Sequence, residues 1–292
     1  MIDPRLLKSN GRVAHVELKG RVDADLFVAP RPKQVQIAKT GIWRTPEGPM
    51  DREMLCGEVF NVLEWQEDDP NAKAFGYAAR DGYCGYVHGS FLHDKVPTTH
   101  TVAVRETYRQ ENADLKATVR RFPLYFGSRL TVTDTEGDWS KITLRLGGQT
   151  SDRDFPYFVP SRHLVPADHV WSDPVSVARR FLGAPYVWGG NAGNGLDCSG
   201  LVQAALLATG IDCPGDSDLQ AAMPWDEVET VEAGDLLFWK GHVAIATGPD
   251  TMIHANAHHM SVVEEPIEEA VARILAKDNS PVTKRLRPKP IS

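Results

Sequence analysis

Cysteine is scarce in this chain of 292 residues. The four that occur, Cys56, Cys84, Cys198 and Cys213, are scattered, with no C-x-x-C spacing. That excludes a disulfide-framed scaffold and a paired redox motif, and it predicts four free thiols in a reducing compartment. An excess of positive charge is lacking too: 32 Lys and Arg stand against 39 Asp and Glu, for a formal net charge of −7. Nucleic acid and acidic membrane are thereby excluded as the main partner. Nor is there a run approaching the roughly 20 apolar residues of a membrane span. Met1-Ile2-Asp3-Pro4-Arg5 does not lead into the hydrophobic stretch of a signal peptide. The expectation is a cytoplasmic protein, a monomer or weak oligomer.

What is abundant is punctuation. Twenty-four Gly and 20 Pro cut the chain into short elements, and its length suits two or three domains. Residues 1–35 are polar, carry Pro30 and Pro32, and read as an N-terminal arm. Strand-like alternation follows at 58–63 and 73–77, and Asp81-Gly82 signals a turn before 83–87. The pattern then recurs. Gly57-Glu58-Val59 is echoed by Gly127-Ser128-Arg129, and the stretch from Gly85 to Leu92 by the one from Tyr157 to Leu164. An offset of about 70 residues predicts two small all-β domains in tandem, at 36–98 and 99–168. Pro166-Ala167-Asp168 reads as a linker. Asp173-Pro174 is a helix N-cap followed by proline at the first helical position, predicting a helix to about 182. Residues 169–292 put helices first and an antiparallel sheet after them, an α+β layout.

The densest signal is 185–200, Pro-Tyr-Val-Trp-Gly-Gly-Asn-Ala-Gly-Asn-Gly-Leu-Asp-Cys-Ser-Gly. Its glycines forbid a regular element. Leu201, Ala204, Ala205 and Ala208 then recur at helical spacing, with Asp197 as N-cap and Thr209-Gly210 as the stop. Cys198 therefore opens a helix, where unpaired N–H groups and the helix dipole favour a thiolate. Such a cysteine needs a base and a group to orient that base. Strands are expected at 236–239, 242–246 and 251–255. A hairpin centred near Gly248 sets His242 directly opposite His254, and facing residues lie roughly 4.5–5.5 Å apart at Cβ. Cys213, His254, His258 and His259 fit no standard zinc spacing.

The segments Pro-Tyr-Val-Trp-Gly-Gly, Leu-Asp-Cys-Ser-Gly-Leu-Val-Gln, Ala-Gly-Asp-Leu-Leu-Phe-Trp and Gly-His-Val-Ala-Ile resemble those of the NlpC-type cell-wall cysteine peptidases. The two β-domains resemble the bacterial SH3-like barrels of members that cleave γ-D-glutamyl bonds in peptidoglycan stem peptides. The resemblance implies an α+β chain in which two SH3-like barrels precede a reduced papain-like domain. It implies Cys198 as nucleophile, His242 as general base and His254 as orienter, with no metal or organic cofactor. Tyr186 matches a tyrosine beside the nucleophile that can serve the oxyanion, its alternative being aromatic packing beside Trp188. Asp197, Ser199 and Ser217 match residues that hold the substrate's amine and free carboxylate; helix capping is the alternative for Asp197 and Ser217. Pro214-Gly215-Asp216 stands where the family often has an arginine. Glu58 and Tyr83 match residues that close the amine pocket.

The activity that the resemblance implies is that of an endopeptidase for free stem peptides beginning L-Ala-γ-D-Glu, cutting before L-Lys or meso-diaminopimelate in murein recycling. An acyltransferase or amidase on the same scaffold, and a non-catalytic wall-binding module, are the rival expectations.

Overall fold

A computed structural model describes residues 2–66, 69, 71–145 and 154–290. The chain forms two compact units, Met1–Asp168 and His169–Ser292.

The first unit is built from strands and short 3-10 turns. Its largest sheet has seven strands, in the order Met50–Leu55, Lys39–Trp43, Cys84–His88, Lys73–Ala78, Val59–Glu64, Arg31–Val35 and Leu92–Asp94. Val35, Ile42, Phe60, Val62 and Val87 meet in its core. Residues 31–35, expected to end the arm, are thus a strand of this sheet. Pro32 is tolerated there because the strand Leu92–Asp94 pairs only with residues 33–35, so Pro32 has a partner on one side alone, Asn61.

The second half of the unit repeats the plan around Val102, Leu124, Leu130, Ile142 and Val159. The echo in the sequence has a structural cause. Gly57 and Gly127 both take left-handed backbone, at φ 82° and 85°. Their N–H groups donate to Val35 O at 2.8 Å and to Val102 O at 3.0 Å. The 3-10 turns Gly89–Phe91 and Ser161–His163 likewise lead into the equivalent strands Leu92–Asp94 and Leu164–Pro166.

Among its described residues the second unit has four helices, α1 (Pro174–Arg179), α2 (Cys198–Ala208), α3 (Ser217–Ala221) and α4 (Ile267–Asp278). Its six-stranded sheet runs in the order Asp226–Glu227, Lys284–Arg287, Leu236–Trp239, His242–Ala246, Thr251–Asn256 and Ser261–Pro266. Asp173 caps α1 as expected, accepting from Ser176 N–H. The helix stops at Arg179, short of the expected end, and turns carry the chain to Gly183 at φ +75°. On one face of the sheet Leu237, Trp239, Ala244, Ala246 and Met252 pack beneath Ile267, Ala270, Val271 and Ile274 of α4. Helix α2 packs on the strands His242–Ala246 and Thr251–Asn256, burying Leu201, Val202, Ala205 and Leu206. No helix among the described residues is long and apolar enough to cross a membrane.

Candidate active site

Asp197 begins α2 in extended backbone, and its carboxylate gathers three donors. Oδ1 accepts from Gly200 N–H at 2.7 Å and from the Ser199 hydroxyl at 2.9 Å; Oδ2 accepts from Gly189 N–H at 2.9 Å. One side chain therefore caps the helix, fixes Ser199 and closes the glycine-rich loop onto the helix start. Gly200 is needed for that closure, since a Cβ there would lie 2.4 Å from Gly190 O. Asn191 donates to Gln203 at 3.0 Å, and Gln203 donates in turn to Cys213 O at 3.0 Å. Gln220 of α3 donates to Ser199 O and to Pro214 O, each at 3.0 Å. Ser217, at the first position of α3, is thus tied to the first turn of α2 through Gln220; the cap position itself belongs to Asp216.

Cys198 is 6% exposed, and all four cysteines are free thiols. Burial, together with the charge of Cys198 and Asp197, pushes the Tyr186 phenol up, so it stays protonated. A β-bridge between Tyr186 and Leu196 holds the tyrosine's backbone next to the segment that leads into Cys198. Trp188 is 73% exposed, so Tyr186 is not part of an aromatic core with it.

The two histidines meet, but not through the expected register. Ile245 pairs with Ile253 and Ala246 with Met252. Continued along the strands, this sets His242 opposite Asn256, and His254 is its diagonal neighbour. The hairpin centres on Pro249, one residue after the Gly248 that the spacing implied. Diagonal neighbours remain within reach of ring side chains. His242 Nε2 and His254 Nδ1 lie 2.8 Å apart.

The chain of contacts continues beyond His254. Its Nε2 is 2.6 Å from Glu265 Oε1 and 2.9 Å from Asn256 Nδ2. Arg273 of α4 donates to both Glu265 oxygens, at 2.7 and 2.6 Å. Burial pulls the His242 imidazole down to about 3, helped by His254 and Arg273 and opposed by Glu265. It also pulls His254 down, against the hydrogen bond to Glu265. Burial pushes the Glu265 carboxyl up, but the hydrogen bonds and charge of His254 and Arg273 outweigh it, and the group ends well below the usual carboxylate range.

A cavity of about 250 Å³ adjoins the pair, with Tyr186, Trp239, His242 and His254 on its wall. Lys240, Arg273, Lys277 and Asp278 also line it. Trp239 Nε1 and Ser280 Oγ, on the same lining, are buried without a partner among the described residues.

Glu58 and Tyr83 both lie in the first barrel. Both Glu58 oxygens accept from Arg80 Nη1, at 2.9 and 2.8 Å, and Oε2 also accepts from Leu55 N–H at 2.9 Å. Arg80 Nε also reaches Asp81 Oδ2 at 3.4 Å, so one guanidinium serves two carboxylates. Tyr83 is 2% exposed and packs in that barrel's core.

Sequence reasoning passed over Glu265, Arg273, Asn256, Gln203 and Gln220. The signal for Arg273 was present. Ile267, Ala270, Val271 and Ile274 mark a helix, and a cation on it six residues after Ile267 could have been paired with an acid in Glu264-Glu265-Pro266.

Known proteins share parts of this sequence and fold. Residues 183–276 match the NlpC/P60 family, and 42–92 match the bacterial dipeptidyl-peptidase Sh3 domain. The chain is 36% identical over 252 residues to a γ-D-glutamyl-L-lysine dipeptidyl-peptidase of Bacillus cereus, covering 77% of this chain and 73% of that protein. Against dipeptidyl-peptidase 6 of Lysinibacillus sphaericus it is 37% identical over 84 residues, 31% of that protein's length. The crystal structure of an NlpC/P60 family protein from Bacillus cereus shares the fold, with a TM-score of 0.66 at 17% identity over 81% of this chain and 94% of that one.

Proposed function

The chain belongs to the NlpC/P60 family and is a peptidase, and from that premise we propose that it hydrolyses the bond between γ-D-glutamate and a diamino acid in peptidoglycan stem peptides. The observation that carries this reading is the hydrogen-bonded pair His242–His254 on strands packed against the helix that Cys198 opens. Cys198 is the nucleophile. His242 takes the thiol proton and passes it to the leaving amine as the C–N bond breaks, which leaves a thioester. Water then attacks, His242 accepts its proton, and the C–S bond breaks to release the acid and restore the thiol. The protonated Tyr186 phenol beside Cys198 supplies a donor for the oxyanion. Ser199 and Ser217 lie where the glutamate's free carboxylate is held. The relative's name, a dipeptidyl-peptidase, supports release of an N-terminal L-Ala-γ-D-Glu dipeptide. The four buried free thiols support a reducing compartment, the cytoplasm, and a role in murein recycling.

The leaving residue lies beside His242, which must protonate its amine, and so enters the cavity of Lys240, Arg273 and Lys277. With Arg273 committed to Glu265, Lys240 and Lys277 still outnumber Asp278 on that lining, which suits a carboxylate better than an ammonium. Diaminopimelate carries an extra carboxylate where lysine has only its amine. Tripeptides ending in meso-diaminopimelate should therefore show a several-fold higher kcat/KM than those ending in L-Lys. Mass spectrometry of the products from both peptides tests the reaction and the preference. Cys198→Ala should abolish turnover and His242→Ala nearly so. Turnover by Cys198→Ala, or acyl transfer to an added amine in place of hydrolysis, would overturn the reading.

A further inference from the structure

Beyond His254 the hydrogen-bond chain reaches two groups that demand opposite things of one nitrogen. Glu265 Oε1 lies 2.6 Å from His254 Nε2. A carboxylate can only accept, so this contact requires the proton to sit on Nε2. Asn256 Nδ2 lies 2.9 Å from the same nitrogen. An amide NH2 can only donate, so that contact requires a bare Nε2. Asn256 cannot turn over to relieve the conflict, because its Oδ1 already accepts from His259 N–H at 2.8 Å. Arg273 holds the carboxylate on both oxygens and keeps it ionised. The acceptor is therefore fixed in place and charged, and it is 0.3 Å nearer than its rival.

The consequence runs back along the chain. With its proton on Nε2, neutral His254 offers a bare Nδ1. His242 Nε2, 2.8 Å away, must then be the donor. Neutral His242 has one proton, so its Nδ1 is left bare, and a bare nitrogen is what a base requires. With Asn256 in control every step inverts. His254 Nδ1–H would donate to His242 Nε2, and the other His242 nitrogen would already carry its proton and could take none from a thiol.

We propose that Glu265, held by Arg273, is a positioning residue that locks the tautomers of both histidines so that His242 presents a bare Nδ1. The role in turnover rests on the reading of Cys198 and His242 as nucleophile and base. The tautomers themselves do not depend on it.

Imidazole 15N NMR of the full-length protein near neutral pH decides the first point without any substrate. His254 and His242 should both carry the proton on Nε2 and be bare at Nδ1. A bare His254 Nε2 in the wild type would overturn the proposal, whatever any variant does. Glu265→Ala leaves Asn256 as the only partner of that nitrogen, and both rings should switch tautomer. Its kcat should fall roughly 10–100-fold with KM nearly unchanged, the usual scale for losing an outer partner of a functional histidine. Glu265→Ala combined with Asn256→Asp returns an acceptor to the same nitrogen, and it should restore both the tautomers and most of kcat. A purely structural role for Glu265 predicts no such rescue. Loss of kcat with unchanged tautomers, or restored tautomers without recovered kcat, would overturn the lock. If the wild type shows the expected tautomers but leaves stem peptides uncut, the proposed substrate fails and the lock stands.

Discussion

At the scale of single residues, His242 and His254 make the second unit sensitive to acid. Free histidine titrates near 6.5, while burial holds His242 down to about 3. Between those values the unfolded chain takes up a proton that the folded chain resists. Stability is therefore fully present above about 6.5 and is lost as pH falls toward 3. His254 is shifted in the same direction. Glu265, held below its ordinary range, loses its contribution only under more acid conditions, as pH falls from about 4.5. The thermal midpoint of the full chain should drop by several degrees between about pH 7 and pH 5. His242→Gln should flatten that dependence; a wild-type midpoint that stays constant over this interval would contradict the shifts. The same depression keeps the base neutral in mild acid, so the acid limb of kcat/KM should lie well below 6.5 unless another group titrates there.

At the scale of elements, the start of α2 is a packing solution in which glycine is a structural requirement. Gly200→Ala places a methyl group against Gly190 O, and overpacking of this kind costs roughly 1–3 kcal/mol. Chemical denaturation should show that loss, with a fall in kcat because the displaced loop carries Tyr186. Much of this element was legible in the sequence. Asp197 as cap, Thr209 as stop and the strands at 236–239 and 242–246 follow from local rules that tertiary contacts did not override. The register of the two histidine strands was not legible, because the residue on which a turn centres is set by its own hydrogen bonds, such as Thr247 N–H to Thr251 O. Helix α4 has the spacing of a helix, but Glu265 has no motif around it. Its partnership with His254 exists only once a strand end and a helix face are brought together.

At the scale of the whole molecule, the N-terminal unit invites a test of what its acidic residues do. Glu58→Gln breaks a largely buried ion pair with Arg80 but leaves the guanidinium on Asp81, so the loss should fall short of the roughly 3–5 kcal/mol of a wholly uncompensated buried charge. The thermal midpoint should fall. If Glu58 serves only its own barrel, free and N-acetylated stem peptides should be affected equally. A selective loss on the free peptide would instead give Glu58 a place in amine recognition. The repeat that frames this unit was legible because it is written in glycines. Residues 57 and 127 both need left-handed backbone, and few other side chains accept it.

Trp188 has a practical consequence. It lies on the loop that Asp197 holds to α2, two residues from Tyr186, and is 73% exposed, while the other described tryptophans are buried or half-buried. A water-facing indole emits to the red and is open to collisional quenchers such as acrylamide; an indole covered by a docked peptide shifts to the blue and is shielded. The chain thus carries an intrinsic fluorophore on the loop that closes onto the start of the helix Cys198 opens. Titrating the inert Cys198→Ala protein with stem peptide should give a saturable blue shift and reduced quenching, and Trp188→Phe should erase both, giving a binding constant read without turnover.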